Sequence, residues 1–132
     1  MRILIVDDVE SWRHMVAAML QDCPTWKIIC EASDGMEAVQ RSEELQPDLI
    51  LLDIGLPKLN GIEAARRIRN VAPRSRILFV SENVCATIAR EALLSGGWGY
   101  VVKSDAANDL LPALEAVLAD RHFVSRRLCV SG

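Results

Sequence analysis

Leu49-Ile50-Leu51-Leu52-Asp53-Ile54-Gly55-Leu56-Pro57 is an aliphatic run that stops at a carboxylate, with a glycine and a proline close behind. Four aliphatic residues in succession suit a strand covered on both faces, as in a parallel sheet with helices on either side. A half-exposed strand would alternate apolar and polar residues. Asp53 then stands where the buried strand emerges. An aspartate there serves equally well to open a loop, so its meaning depends on what the rest of the chain brings beside it.

Upstream, Arg2–Val6 is a short aliphatic run that reads as strand one and is followed directly by Asp7 and Asp8. Trp12, Met15, Val16, Met19 and Leu20 recur at helical spacing and form one apolar stripe, closed by Pro24. Residues 26–32 are the second strand, less purely aliphatic, as suits a place nearer a sheet edge. Ser33-Asp34-Gly35-Met36-Glu37 carries a cap residue with glutamate three positions later, which is a helix-start signature. That helix runs to about Leu45.

Downstream, Asn60-Gly61-Ile62-Glu63 repeats the signature, and Gly61, Ala64, Ala65, Ile68 and Ala72 make a small-residue stripe that lets a helix lie close to the sheet. Residues 76–80 form strand four and deliver Ser81. Cys85, Ile88, Ala89, Ala92 and Leu93 mark helix four, with Gly96-Gly97 supplying a left-handed cap. Residues 100–102 are strand five and deliver Lys103. Leu110, Ala113, Leu114, Val117 and Leu118 define helix five. Pro112 lies within that pattern, where proline removes an amide donor and clashes with the carbonyl of Asn108. The helix is therefore expected to start near Asn108 or Asp109, or to be distorted before Pro112.

Strand and helix alternate five times, which predicts one α/β domain over residues 1–120. Its single five-stranded parallel sheet has the order 2-1-3-4-5 and is flanked by five helices, leaving residues 121–132 as a linker or tail. Arg121, Arg126 and Arg127 in that tail read as solvated linker charges. A chain of 132 residues with 51% apolar and 25% charged side chains buries enough surface to need no disulfide or metal staple. Fifteen basic against eighteen acidic groups leave a net charge of -3, which argues against nucleic-acid binding over the whole surface. Cys23, Cys30, Cys85 and Cys129 form no CxxC pair and have no histidine at ligand spacing, so reduced thiols in the cytoplasm are expected. There is neither a signal-peptide core nor an apolar run of spanning length.

The chemistry is positional. Asp7 and Asp8 end strand one, Asp53 ends strand three, Ser81 ends strand four and Lys103 ends strand five, so all five lie on the carboxyl edge of the predicted sheet. Strand order reverses between strands one and three, where open α/β sheets bind ligands. Three converging carboxylates repel one another unless a cation neutralises them, and Mg2+ suits such hard oxygen donors. A serine hydroxyl and a lysine ammonium across from them complete a pocket for the oxygens of a phosphoryl group carried on Asp53.

On these residues the sequence resembles the receiver domain of a two-component response regulator over roughly residues 2–120, a flavodoxin-like fold. The resemblance implies that Asp53 accepts the phosphoryl group and that Mg2+ or Mn2+ is held by Asp8, Asp53, the backbone carbonyl of Gly55 and, through a water, Asp7. It assigns Ser81 and Lys103 to the phosphoryl oxygens and Tyr100 to the aromatic that turns inward on activation. Pro57 and Gly61 fit the family's turn after the acceptor. The implied donor is a sensor histidine kinase or a small phosphodonor such as acetyl phosphate, and the implied output is the face of helix four, strand five and helix five, with homodimerisation on phosphorylation.

Gly99-Tyr100-Val101-Val102-Lys103-Ser104, the Leu-Leu-x-Ala-Leu helix and His122-Phe123-Val124-Ser125 are similar to receivers that precede a LuxR-type helix-turn-helix domain. That domain would have no room within 132 residues, so DNA would be reached only through a separate C-terminal domain. Two departures stand out: Ser104 replaces the cis-proline of many receivers, leaving the isomer of the Lys103-Ser104 bond open, and Glu82 is bulkier and more acidic than the usual residue beside Ser81. Two rival readings are a receiver fold kept only for interaction and a haloacid-dehalogenase-type phosphohydrolase. The second fits poorly, because Asp7-Asp8-Val9 is not the D-x-D pattern after strand one.

Overall fold

The computed structural model describes residues 1–128. At its centre lies β3 (Leu49–Leu52), paired in parallel with β1 (Arg2–Val6) on one side and β4 (Arg76–Ser81) on the other. β2 (Lys27–Ala32) flanks β1, and β5 (Gly97–Val102) flanks β4. A two-residue strand, β6 (Phe123–Val124), follows β5, giving the all-parallel order 2-1-3-4-5-6. Five helices connect and follow the first five strands: α1 (Glu10–Leu20), α2 (Gly35–Leu45), α3 (Gly61–Val71), α4 (Ala86–Leu94) and α5 (Ala106–Leu118).

The aliphatic runs are continuous because each strand feeds two cores. Leu4 and Val6 of β1, Ile50 and Leu52 of β3, and Ile77 and Phe79 of β4 pack with α2, α3 and α4 on one face. Ile3, Ile5, Leu49, Leu51, Leu78 and Val80 pack with α1 and α5 on the other. At about 1.5–3 kcal/mol for each large aliphatic side chain removed from water, this double burial is the main stabiliser of the sheet. β2 is only partly covered, as its mixed composition implies.

Both predicted helix starts form. Asp34 Oδ1 accepts from the Glu37 amide at 2.8 Å, while Glu37 Oε1 accepts from the Ser33 amide at 2.9 Å. Asn60 Oδ1 accepts from the Glu63 amide at 3.0 Å. The small stripe of α3 is buried throughout, and a Cβ on Gly61 would collide with the backbone carbonyl of Asp53. Glycine there allows the start of α3 to press against the exit of β3. The Gly61 amide donates to the Ile54 carbonyl at 2.8 Å and closes the turn. Gly96 takes φ +124° just past α4, as its sequence position predicts.

Several expectations are corrected. A sixth strand stands where the sequence reads linker: Phe123–Val124 pairs with Gly99 and Tyr100, Ser125 is fully buried, and a 3-10 turn follows at Arg126–Leu128. β5 begins at Gly97 rather than residue 100. Its glycines resemble a turn in sequence, yet a Cβ on Gly99 would lie 2.6 Å from the Phe123 carbonyl oxygen, so glycine is what allows β6 to approach. α5 starts at Ala106, directly after a 3-10 turn at Lys103–Asp105, which leaves Pro112 inside the helix. Burial of Ala106 and Leu110 favours the early start, and Asn108 is exposed, so water can take up the carbonyl that Pro112 cannot serve. Met15 is exposed rather than in the α1 stripe, and Cys85 is the exposed residue before α4. Cys23, Cys30 and Cys85 are free thiols, while Cys129 lies outside the described residues. No described peptide bond is cis, Lys103-Ser104 included. No helix among the described residues is long and apolar enough to cross a membrane.

Candidate functional site at the carboxyl edge of the sheet

The sheet delivers the expected residues to one place. Carboxylate oxygens of Asp7, Asp8 and Asp53 lie within 4.8 Å of one another. Asp7 and Asp53 are buried and Asp8 is exposed. This follows from register: Val6 pairs with Leu52, so the residues after them leave the two central strands side by side. The Asp53 amide donates to the Val6 carbonyl at 3.2 Å and ties the two exits together.

Lys103 enters from the end of β5. Its Nζ lies 2.6 Å from Asp7 Oδ2 and 3.3 Å from Asp53 Oδ2. Asp53 Oδ1 accepts from the Ile54 amide at 2.8 Å, which fixes the carboxylate plane. Burial pushes the Asp53 carboxyl above its ordinary range and Asp7 adds to this, while Lys103 and the Ile54 amide pull the other way. For Lys103, burial opposes the charge, but Asp7 and Asp53 together outweigh it and hold the ammonium above its ordinary range.

Asp8, Asp53, Gly55, Ser81, Glu82 and Lys103 line a cavity of about 510 Å³. Ser81 is buried at its wall, and its Oγ accepts from the Asn83 amide at 3.1 Å. Tyr100 is already inward and fully buried, and its hydroxyl donates to the Asn83 carbonyl at 2.9 Å. Burial pushes the phenol up, the Ser81 hydroxyl beside it pulls down, and the charges of Asp53 and Cys85 push up again. Ser81, Asn83 and Tyr100 therefore form one hydrogen-bonded group, with Asp53 across the same cavity. Glu82 is exposed at the rim.

Sequence reasoning omitted three members of this neighbourhood. Asn83, just past the predicted strand end, bridges Ser81 to Tyr100. Arg13 reaches back from α1, donating to the Asp7 carbonyl at 2.6 Å and to Glu31 Oε1 at 2.8 Å. Trp12 lies with its ring centroid 4.9 Å from Lys103 Nζ. Helical periodicity detects burial, and a residue that packs against a charge at a strand end shows the same period as one that packs in a core.

Fold and site define an α/β domain with an acidic, lysine-bearing pocket where the strand order of a parallel sheet reverses. The chain belongs to the response regulator receiver domain family, whose model matches residues 3–115. It is 35% identical over 128 residues to the transcriptional activator protein ExaE of Pseudomonas putida, covering 97% of this chain and 60% of that protein. It is 31% identical over 115 residues to the chemotaxis protein CheY of Listeria monocytogenes, covering 87% of this chain and 96% of CheY. A LuxR-family two-component response regulator from Aurantimonas sp. SI85-9A1 superposes with a TM-score of 0.92 at 34% identity, over 97% of this chain and 91% of that one. The chain spans about half to three-fifths of the length of the transcriptional regulators it matches.

Proposed function

We propose that this receiver domain takes a phosphoryl group from a sensor histidine kinase onto Asp53, with Asp7, Asp8, Ser81 and Lys103 as its machinery. The observation that carries this reading is the placement of the Lys103 ammonium between two buried carboxylates that share a cavity with an exposed third acid and a buried serine. The donor set is all oxygen, and its three carboxylates exceed the single ammonium among them, which fits a hard divalent cation, Mg2+ or Mn2+. Asp8, Asp53 and the Gly55 carbonyl would hold it, with Asp7 acting through a water. When bound, the cation supplies charge neutralisation and Lewis acidity at the phosphoryl oxygens.

The protein's own groups do the rest. Asp53 attacks phosphorus as the P–N bond of the donor phosphohistidine breaks and a P–O bond forms, leaving an aspartyl phosphate. The Lys103 ammonium donates to Asp53 and is ion-paired with Asp7, which leaves N–H capacity for a phosphoryl oxygen. The Ser81 hydroxyl can turn to a second oxygen. The new group brings nearly two negative charges and three strong acceptors. They draw Ser81 from Tyr100 and change the hydrogen bonds of the Asn83 loop. Because Tyr100 is already seated, the response runs through that loop into the face of α4, β5 and α5, which is then biased toward a homodimer or another partner.

In this reading the receiver runs through β6 and the 3-10 turn at Arg126–Leu128, a separate DNA-binding domain of the kind found in transcriptional regulators lies outside it, and the setting is the cytoplasm. The domain catalyses only its own phosphorylation and dephosphorylation. Intact-mass measurement after incubation with acetyl phosphate and Mg2+ tests it. A single adduct of about 80 Da, one phosphoryl group, is expected, absent in Asp53→Ala and absent when EDTA replaces Mg2+. An adduct that survives Asp53→Ala removes the proposal.

A further inference from the structure

Trp12 lies outside the phosphoryl pocket but borders it. With Val9, Met15, Glu82 and Lys103 it lines a neighbouring cavity of about 610 Å³, and Lys103 is a wall of both spaces. Lysine carries its charge on a flexible four-carbon stem. Here that charge is held by Asp7 at 2.6 Å, by Asp53 at 3.3 Å and by the Trp12 ring at 4.9 Å from Nζ to the centroid. The Lys103 side chain is only 9% exposed.

Carboxylates alone would leave the ammonium free to settle wholly on Asp7, the nearer acid, and away from the phosphoryl site. An aromatic face attracts an ammonium without taking up an N–H in a conventional hydrogen bond, and it excludes water from that side. A third carboxylate there would neutralise the charge instead. The ring is half-buried and packs against the core on the α1 and α5 face. The next residue, Arg13, donates to the backbone carbonyl of Asp7, whose carboxylate holds Lys103, and also to Glu31 of β2. One turn of α1 thus sets both the ring and the acid that position the same ammonium.

We propose that Trp12 is a positioning residue for phosphoryl transfer, its indole face keeping the Lys103 ammonium poised between Asp7 and Asp53. The proposal rests on Asp53 being the phosphoryl acceptor, and its test separates the two. Wild type, Trp12→Phe and Trp12→Leu are compared for the initial rate of adduct formation with acetyl phosphate and Mg2+. The Lys103 ε-methylene proton shifts are read by NMR without any phosphodonor. The expected result is a rate about five- to tenfold lower in Trp12→Leu and within about twofold of wild type in Trp12→Phe, since either ring offers a face to the cation. The ε-methylene protons are expected upfield in wild type and Trp12→Phe, through ring-current shielding, and at ordinary positions in Trp12→Leu.

A wild-type rate in Trp12→Leu, an equal fall in both variants, or unshielded ε-methylene protons in wild type each overturns the role of Trp12. If no protein forms an Asp53 adduct, the acceptor reading fails instead, and the shielding pattern still reports whether the ring holds the lysine. Circular dichroism checks folding. Should Trp12→Leu not fold, Trp12→Met replaces it, because methionine fills an irregular gap without an aromatic face.

Discussion

Asp53 carries its charge against its surroundings. Burial and the neighbouring Asp7 raise its carboxyl above the ordinary 3.8, and Lys103 and the Ile54 amide only partly reverse this. The sign of the linkage follows. A carboxyl raised in the folded state contributes its stability below the unfolded value and loses it as pH rises through the folded value, so at neutral pH the ionised Asp53 costs stability. Asp53→Asn keeps the shape, removes that charge and leaves Lys103 with Asp7. In EDTA at pH 7 the variant is expected to be more stable than wild type. The advantage should shrink as pH falls through the raised carboxyl range and vanish below 3.8. Thermal unfolding of both proteins across that range checks it, and an advantage independent of pH would assign the gain to something other than the charge. Asp53 was legible in sequence because strand ends can be counted. Trp12 was not, because its period is that of a core residue while its partner is an ion.

At the scale of elements, β5 bears Tyr100 and delivers Lys103 just past its end, and the segment after α5 clamps it. Ser125 is the fastening: its amide donates to the Tyr100 carbonyl at 2.9 Å, its Oγ accepts from the Val102 amide at 3.0 Å, and its hydroxyl donates to Asp109 Oδ2 at 3.0 Å. Ser125→Ala is expected to destabilise the domain by about 1–3 kcal/mol in urea titration, since a buried amide and a carboxylate lose their shared partner. Among the described residues Arg127→Ala breaks the surface pair with Asp105, and it should change much less. Pro112 gives the opposite sign. Pro112→Ala restores a helical amide to Asn108 in an α5 that already runs from Ala106, so it is expected to raise the unfolding free energy from urea titration by about 1 kcal/mol or more, after allowing for proline's smaller unfolded-state entropy. The central strands β1, β3 and β4 were readable because aliphatic runs report double burial. β6 and the full length of β5 were not, because Phe123–Val124 is too short to show a period and Gly97, Trp98 and Gly99 have turn composition. The close approach of Phe123 and Leu78 to Gly99 explains the glycine, and both contacts join residues far apart in sequence.

For the molecule as a whole, the sheet is built so that its apolar strands converge on an edge where like charges meet. The two cores stabilise what the edge opposes: Asp7, Asp8 and Asp53 within 4.8 Å, with one ammonium among them. A ligand that binds only this folded edge stabilises every element behind it by mass action, by about 2.7 kcal/mol at a hundred times its dissociation constant. Adding Mg2+ should therefore raise the midpoint of global unfolding, with the shift growing as the logarithm of concentration beyond saturation. Asp8→Asn isolates the effect. Asp8 is exposed, so its metal-free midpoint is expected to stay close to that of wild type while the Mg2+-dependent rise is lost. Calorimetry of both proteins over a Mg2+ series decides the matter: a rise that persists in Asp8→Asn places the ion elsewhere, and the absence of any rise in wild type means that the edge does not bind the ion.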